Sequence, residues 1–331
     1  MPAPNYPVAA TSWDGVAQAS NPVYDPGYGG TFIPTIWSGK LIEKFYDATV
    51  LAAISNTDYE GEITNYGDKV IIRKKSDVTI NDYEVGMPLV AERPVSPITE
   101  LIIDKGHYFN EVLDDVMEVQ ADLNLLSMWA DEASEQMKIK IDSNVLRGVA
   151  ADVDANNAGA AAGKVSGDVN LGATGSPVLL VPRAPDAGQT EVIDLITRFG
   201  QVLDEQNIPE NGRWITLPAS VCALIKRSEL RDASLTGDGT SVLRNGRLGM
   251  IDRFTIYMSN LLPMGTADRL AAGETQIFAG HSHGLTFASQ LSKVETLRAE
   301  STFGTLLRGL QVYGYKVTDG TAIATAVVAK P

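Results

Sequence analysis

Apolar side chains recur at steps of three and four from Val112 through Val116, Val119, Leu123, Leu126, Ala130, Ala133, Met137, Ile141 and Val145 to Val149. That spacing holds one face of an α-helix for about ten turns, on the order of 55 Å. Asp114, Asp115 and Glu118 stand near its start, and Lys138, Lys140 and Arg147 near its end, as the helix dipole favours. A helix of this length is a coiled coil, a membrane span or an architectural strut. Asp131, Glu132, Glu135 and Gln136 exclude the membrane, and the heptad is not strict. The pattern predicts a strut.

The stretch before it, Gly61 to Lys105, reads as a long hairpin. Val70 and Ile72 alternate with Lys69, Ile71 and Arg73, and Val78 and Ile80 with Asp77 and Thr79. On the return side Ile98, Leu101 and Ile103 interleave with Thr99, Glu100, Ile102 and Asp104. Both limbs have strand periodicity, and Asn81 to Pro88 with the breaks at Pro94 and Pro97 supplies the connecting loop. A two-stranded ribbon is marginal alone in water, so this one must lie on its own domain or on a neighbouring chain. Its apolar stripe (Val70, Ile72, Val78, Ile80 and Ile98) and its basic cluster (Arg73, Lys74 and Lys75) are the candidate intersubunit contacts.

Residues 1–35 carry Pro2, Pro4, Pro7, Pro22, Pro26 and Pro34 with Gly27, Gly29 and Gly30. Such a segment forms neither helix nor strand reliably, yet Tyr6, Trp13 and Tyr28 want burial. It reads as an extended arm lying on another surface. A short helix is expected from about Ser38 to Ala53.

Beyond the strut, residues 151–189 are rich in Gly, Ala, Asn and Asp and read as a loop-forming insertion. A compact α/β segment follows: a helix over Thr190–Gln206, a buried strand over Trp214–Leu217, a helix over Pro218–Arg227 and a strand over Phe254–Met258. From Gln276 to Ala329 strand patterns alternate with glycine breaks. The fold class is α+β.

The chemistry of an enzyme is missing from the sequence. Gly237-Asp238-Gly239 lacks the strand before and helix after that a dinucleotide site needs, and reads as a loop. His281 and His283, at i and i+2 in a strand, would share a face, but no third ligand accompanies them beyond Asp268 and Glu274, which are only loosely near in sequence. His107 reads as a packed or interface residue. Asp114–Asp115 and Asp82–Glu84 read as caps or solvated charge, and no serine sits in a nucleophile elbow. No catalytic residue, cofactor or metal is therefore expected.

Among 331 residues there is a single cysteine, Cys222, in an apolar helical stretch, so it reads as a buried structural thiol and no intrachain disulfide can form. The hydrophobic content of 44% supports a packed core, and a net charge of -14 argues against a nucleic-acid reader. The N-terminus does not resemble a signal peptide, and no run is long and apolar enough for a bilayer.

The order of arm, hairpin, strut, α/β unit and C-terminal strands resembles the major capsid proteins of tailed bacteriophages, with the fold first described for bacteriophage Hong Kong 97. The wording agrees at residues 61–72 (Gly-Glu-Ile-Thr-Asn-Tyr-Gly-Asp-Lys-Val-Ile-Ile), at residues 200–217, at Leu248–Phe254 before Ser259-Asn260, at Ala279–Gln290 and at Leu307–Tyr315. The resemblance implies five parts. They are an N-arm and short helix (1–56), an extended loop (57–106), a peripheral domain with spine helix (107–150 and 276–318), an axial domain with a loop insertion (151–275), and a C-terminal strand (319–331) returning to the axial domain. It implies pentamers and hexamers of the chain itself in a shell around double-stranded DNA, read without sequence specificity and without a membrane. A scaffolding protein, a portal protein and a decoration protein are the further implied partners, with the virion as destination and the host cytoplasm as place of assembly. The alternatives are an encapsulin-type compartment shell, which shares the fold, and a soluble α/β enzyme or ligand-binding protein.

Overall fold

The computed structural model describes residues 47, 49–59, 69–76, 78–89, 91–120, 124–228, 249–300 and 302–331. The expected arm over residues 1–35, the start of the hairpin at residues 61–68 and the Gly237–Gly239 loop lie outside the described residues. So does most of the helix expected from Ser38. Of its remainder, Val50 is not helical and α1 is one turn, Leu51–Ile54.

The hairpin is narrower than its sequence pattern. β1 (Lys69–Arg73) pairs antiparallel with β2 (Ile98–Ile102), from Lys69 opposite Ile102 to Arg73 opposite Ile98. The next contact, Lys74 N–H to the Pro97 carbonyl at 2.9 Å, is the last between the two limbs among the described residues. Pro97 has no N–H to return, so the ladder stops there, and Val78 and Ile80 are not in a strand although they alternate.

The strut is also shorter than its periodicity. β3 (Lys105–Asp114) takes up Val112 and Asp114, because its last pair, Asp114 with Gly304, continues a ladder along a partner strand. A short helix α2 (Asp115–Gln120) follows, and the long helix α3 begins only at Leu125 and runs to Val149. Asn124 starts it: its side-chain oxygen accepts the Ser127 N–H at 3.3 Å, an N-cap placed inside the apolar run. Its 25 residues span about 37 Å.

The Gly/Ala-rich segment is not all loop. It contributes β4 (Val178–Val181) and ends at β5 (Gln189–Glu191), both strands of the large sheet. α4 (Val192–Glu205) buries Leu195, Ile196, Phe199, Val202 and Leu203 along one face, and Gly200 leaves room there for Asp252. β6 (Arg213–Leu217) is buried at all five positions, as a strand covered on both faces must be. α5 (Ala219–Arg227), β7 (Met250–Ile251) and β8 (Phe254–Met258) follow. β9 (Glu274–His281), β10 (Leu285–Arg298), β11 (Gly304–Val317) and β12 (Ile323–Ala329) complete the chain.

Two larger sheets result. One is three-stranded and antiparallel in the order β10-β11-β3, and the other is seven-stranded and mixed in the order β5-β4-β12-β9-β6-β8-β7. β9 therefore belongs to the large sheet, paired with β6 and β12, and not to an outer unit beginning at residue 276. The chain leaves that sheet only at the 3-10 turn Ser282–Gly284. The main core joins α1, the C-terminal half of α3, α4, α5 and the large sheet. Asp142 of α3 lies in it at 1% exposure, and its carboxylate takes the N–H groups of Val50 (2.9 Å) and Leu51 (3.1 Å), which tie α1 to α3.

Candidate intersubunit surface

The base of the ribbon is part of the subunit. Val70 and Ile72 face inward beside Leu101, and with Ile103, Ala288 and Val312 they form a second, small core. β2 crosses β11 so closely at Gly314 that a Cβ there would lie 2.2 Å from the Ile102 carbonyl oxygen. Only glycine admits that crossing. Ile98 belongs to the opposite face, opposite Arg73, and is exposed. The apolar stripe read from the sequence is thus split. Val70 and Ile72 are packed at home, whereas Val78, Ile80 and Ile98 remain uncovered.

Beyond the ladder the loop carries a dense set of uncovered apolar groups. Ile80 is 88% exposed, Val85 97%, Leu89 81% and Val95 83%. Arg73, Lys74 and Lys75 stand at its root, and none has an ion-pair partner among the described residues, whereas Lys69 meets Glu100 at 3.4 Å. These uncovered apolar groups make the loop a candidate interaction surface.

A second uncovered region lies at the far end of the three-stranded sheet. Val116 and Val119 of α2 and Phe303 between β10 and β11 are exposed, held by the Arg298–Asp115 ion pair and by the Asp115 N–H on the Phe303 carbonyl. No periodicity in the sequence singled out Phe303, since the local β10–β11 hairpin that carries it is brought beside α2 by the pairing of β11 with the distant β3. Along the same sheet, β3 and the N-terminal half of α3 enclose a groove of about 490 Å³ lined by His107, Phe109, Trp129 and Met137 among others. His107 hydrogen-bonds Tyr313 Oη at 3.1 Å, and burial with Lys140 nearby holds its pKa below the usual histidine value.

Cys222, Arg213, His281 and His283 are each tied into the fold. Burial pushes the Cys222 thiol up to about 11, which keeps it protonated and inert. Arg213 is buried, donates to Asp204 (2.6 Å), the Ile208 carbonyl (2.6 Å) and the Pro209 carbonyl (2.9 Å), and keeps one nitrogen, Nη1, without a partner among the described residues. His281 and His283 do not share a strand face. His281 ends β9, His283 sits in the following turn, and the His281 Nδ1 accepts the His283 backbone N–H at 3.1 Å. Among the described residues no group of three His, Cys, Asp or Glu is placed to hold a metal, and no helix is long and apolar enough to cross a membrane.

A ribbon uncovered beyond its root, a sheet end presenting bare apolar groups and a long helix joining two sheets fit a shell-building subunit. The chain belongs to the phage capsid protein family, whose sequence model matches residues 109–326. No curated protein sequence matches it. Among solved structures it is similar to a chain of Mycobacterium phage Che8, with a TM-score of 0.70 and 26% identity over 90% of this chain and 97% of that one. It is also similar to the capsid structure of cyanophage P-SCSP1u (TM-score 0.68, 15% identity, 91% of this chain and 94% of that one). The mature capsid of bacteriophage PhiM1 gives a TM-score of 0.64 and 14% identity over 93% of this chain and 96% of that one. The latter two likenesses bear on the fold alone, which is the Hong Kong 97-like capsid fold. The protein is a phage capsid subunit that forms the shell of the virion, and neither the compartment shell nor the soluble enzyme is favoured.

Proposed function

We propose that this chain is the principal shell subunit of a tailed bacteriophage, closing as pentamers and hexamers into an icosahedral particle around double-stranded DNA. On this reading it is assembled in the host cytoplasm with a scaffolding protein and a portal protein, can accept a decoration protein, and catalyses no reaction. Residues 1–56 would act as arm, 57–106 as extended loop, and 107–150 with the three-stranded sheet as peripheral unit. Residues 151–281 with β12 would form the axial unit around the five- and six-fold centres. Contacts of one kind repeated around symmetry axes close a shell.

The observation that carries this reading is the uncovered loop between Lys74 and Pro97. Each large apolar side chain there would gain roughly 1.5–3 kcal/mol on full burial. An exposed ion pair from Arg73, Lys74 or Lys75 would add about 1 kcal/mol or less. Apolar burial against a neighbouring copy, involving Val78, Ile80 and Ile98, therefore decides the strength of the contact, and the basic cluster its orientation. Replacing residues 75–96 with a short Gly-Ser turn should leave a folded, soluble subunit, because Val70, Ile72 and Leu101 stay in their core. Negative-stain microscopy should then show closed particles for the unaltered chain and none for the shortened one. Normal particles from the shortened chain would remove the loop from the interface.

A further inference from the structure

Three chain crossings join the two sheets, one through the long helix from β3 to β4, and the other two hang on one 3-10 turn. The first of these two runs from His281 through Ser282–Gly284 into β10. The second, from β11 to β12, returns beside it: Thr318 N–H donates to the Gly284 carbonyl (2.9 Å), Asp319 N–H to the same oxygen (3.3 Å), and Thr318 Oγ1 to the His283 carbonyl (2.9 Å). The turn itself is capped by the His281 ring, whose Nδ1 accepts the His283 N–H at 3.1 Å. That bond requires Nδ1 to carry no proton. The other edge of the ring lies against the turn before β6, where a Cβ on Gly212 would come within 3.2 Å of Nε2; Gly212 has φ +80°.

We propose that His281 is a proton-sensitive cap on this junction: protonating Nδ1 turns the acceptor into a donor, releases the His283 amide, and loosens the three-stranded sheet from the seven-stranded sheet in mildly acidic solution.

The surroundings favour the neutral ring. Arg213 stands directly opposite His281 in the β6–β9 register, a buried cation with one nitrogen lacking a partner among the described residues. His283 is the other titratable neighbour, on the turn itself. The nearby carboxylates are turned elsewhere: Asp204 to Arg213 and Arg253, Glu210 to Arg253 (2.8 Å), and Asp319 to Thr321. Burial holds the His281 pKa below its ordinary value of 6.5, with a backbone hydrogen bond at Asn211 acting the other way and His283 and Arg213 lowering it further. A lowered folded pKa means that the stability contributed by the neutral ring is present above about pH 6.5 and is lost as the pH falls through the folded pKa.

Mass spectrometry of the full chain as free subunits tests this without requiring a shell. Exchange of the imidazole Cε1 hydrogens reads the titration of His107, His281 and His283 separately. Backbone amide exchange, normalised to the chemical rate, reads the peptides covering 279–287 and 317–323. Protection in both peptides is expected to fall severalfold as the pH is lowered from about 7.5 through the midpoint of the His281 titration. His281→Asn, whose Oδ1 stands where Nδ1 does and cannot take up a proton, should abolish that pH response, and His283→Gln should retain it. An unchanged response in His281→Asn, or protection independent of pH in the natural sequence, would overturn the proposal. Should His281→Asn not fold, the two midpoints in the unaltered chain decide: separate midpoints also overturn it.

Discussion

Glu205, at the last turn of α4, accepts the backbone N–H groups of Val165 (2.8 Å) and Ser166 (3.1 Å) and the Gln201 amide (3.1 Å). These bonds, the two backbone ones first, pull its pKa from 4.5 down to about 2. Its stabilisation is therefore present above about pH 4.5 and lost as the pH falls toward 2. The urea midpoint of Glu205→Gln should lie below that of the unaltered chain at neutral pH, and the gap should narrow steadily below pH 4.5. A gap that is constant with pH would mean that the carboxylate charge is not what holds the 163–167 turn. Asp142 works differently, because it is buried and burial raises its pKa. Asp142→Ala strands the N–H groups of Val50 and Leu51 and should cost about 1–3 kcal/mol for each donor left unpaired, measured by urea unfolding at neutral pH. Neither role was visible in the chain's order, since Val165 is 40 residues from Glu205 and Val50 is 92 from Asp142.

At the scale of elements, the segments with strong local signals form where the sequence places them. The strand over Trp214–Leu217, the helix behind Pro218 and the strand over Phe254–Met258 are each present, because their apolar patterns and breakers agree. The long helix shows where periodicity misleads. Val112 fits the helical series, but ten cross-strand pairings with β11 hold residues 105–114 extended. Their partners are nearly two hundred positions away. The ribbon misleads in the same way, since alternation continues past Arg73 although Pro97 ends the ladder. Gly314 decides where the ribbon sits. Gly314→Ala should lower stability by about 1–3 kcal/mol through overpacking against the Ile102 carbonyl. Limited trypsin digestion should then cut faster at Arg73 and Lys74 than in the unaltered chain. Cutting rates that do not change would show that the crossing tolerates a side chain.

At the scale of the whole molecule, the charge of -14 makes the subunit a poor ligand for nucleic acid, because few clustered cations can release counterions. Free subunits should bind duplex DNA more weakly than about micromolar at physiological salt, and a sequence-specific gel-shift complex tighter than that would contradict the reading of the chain as a plain wall. The sequence by itself determined the α+β class and the presence of a ribbon that cannot cover itself. Those properties follow from local spacing and from which side-chain types occur. The tertiary structure alone decided which part of the stripe is core and which is surface: Ile72 is buried while Ile80, in the same alternating series, is bare. It also decided that β9 lies in the large sheet, that Phe303 stands beside α2, and that His281 caps the junction of the two sheets. Each of these depends on contacts between residues far apart in the chain, where burial and hydrogen bonding are settled by which strands pair and not by the pattern within any one of them.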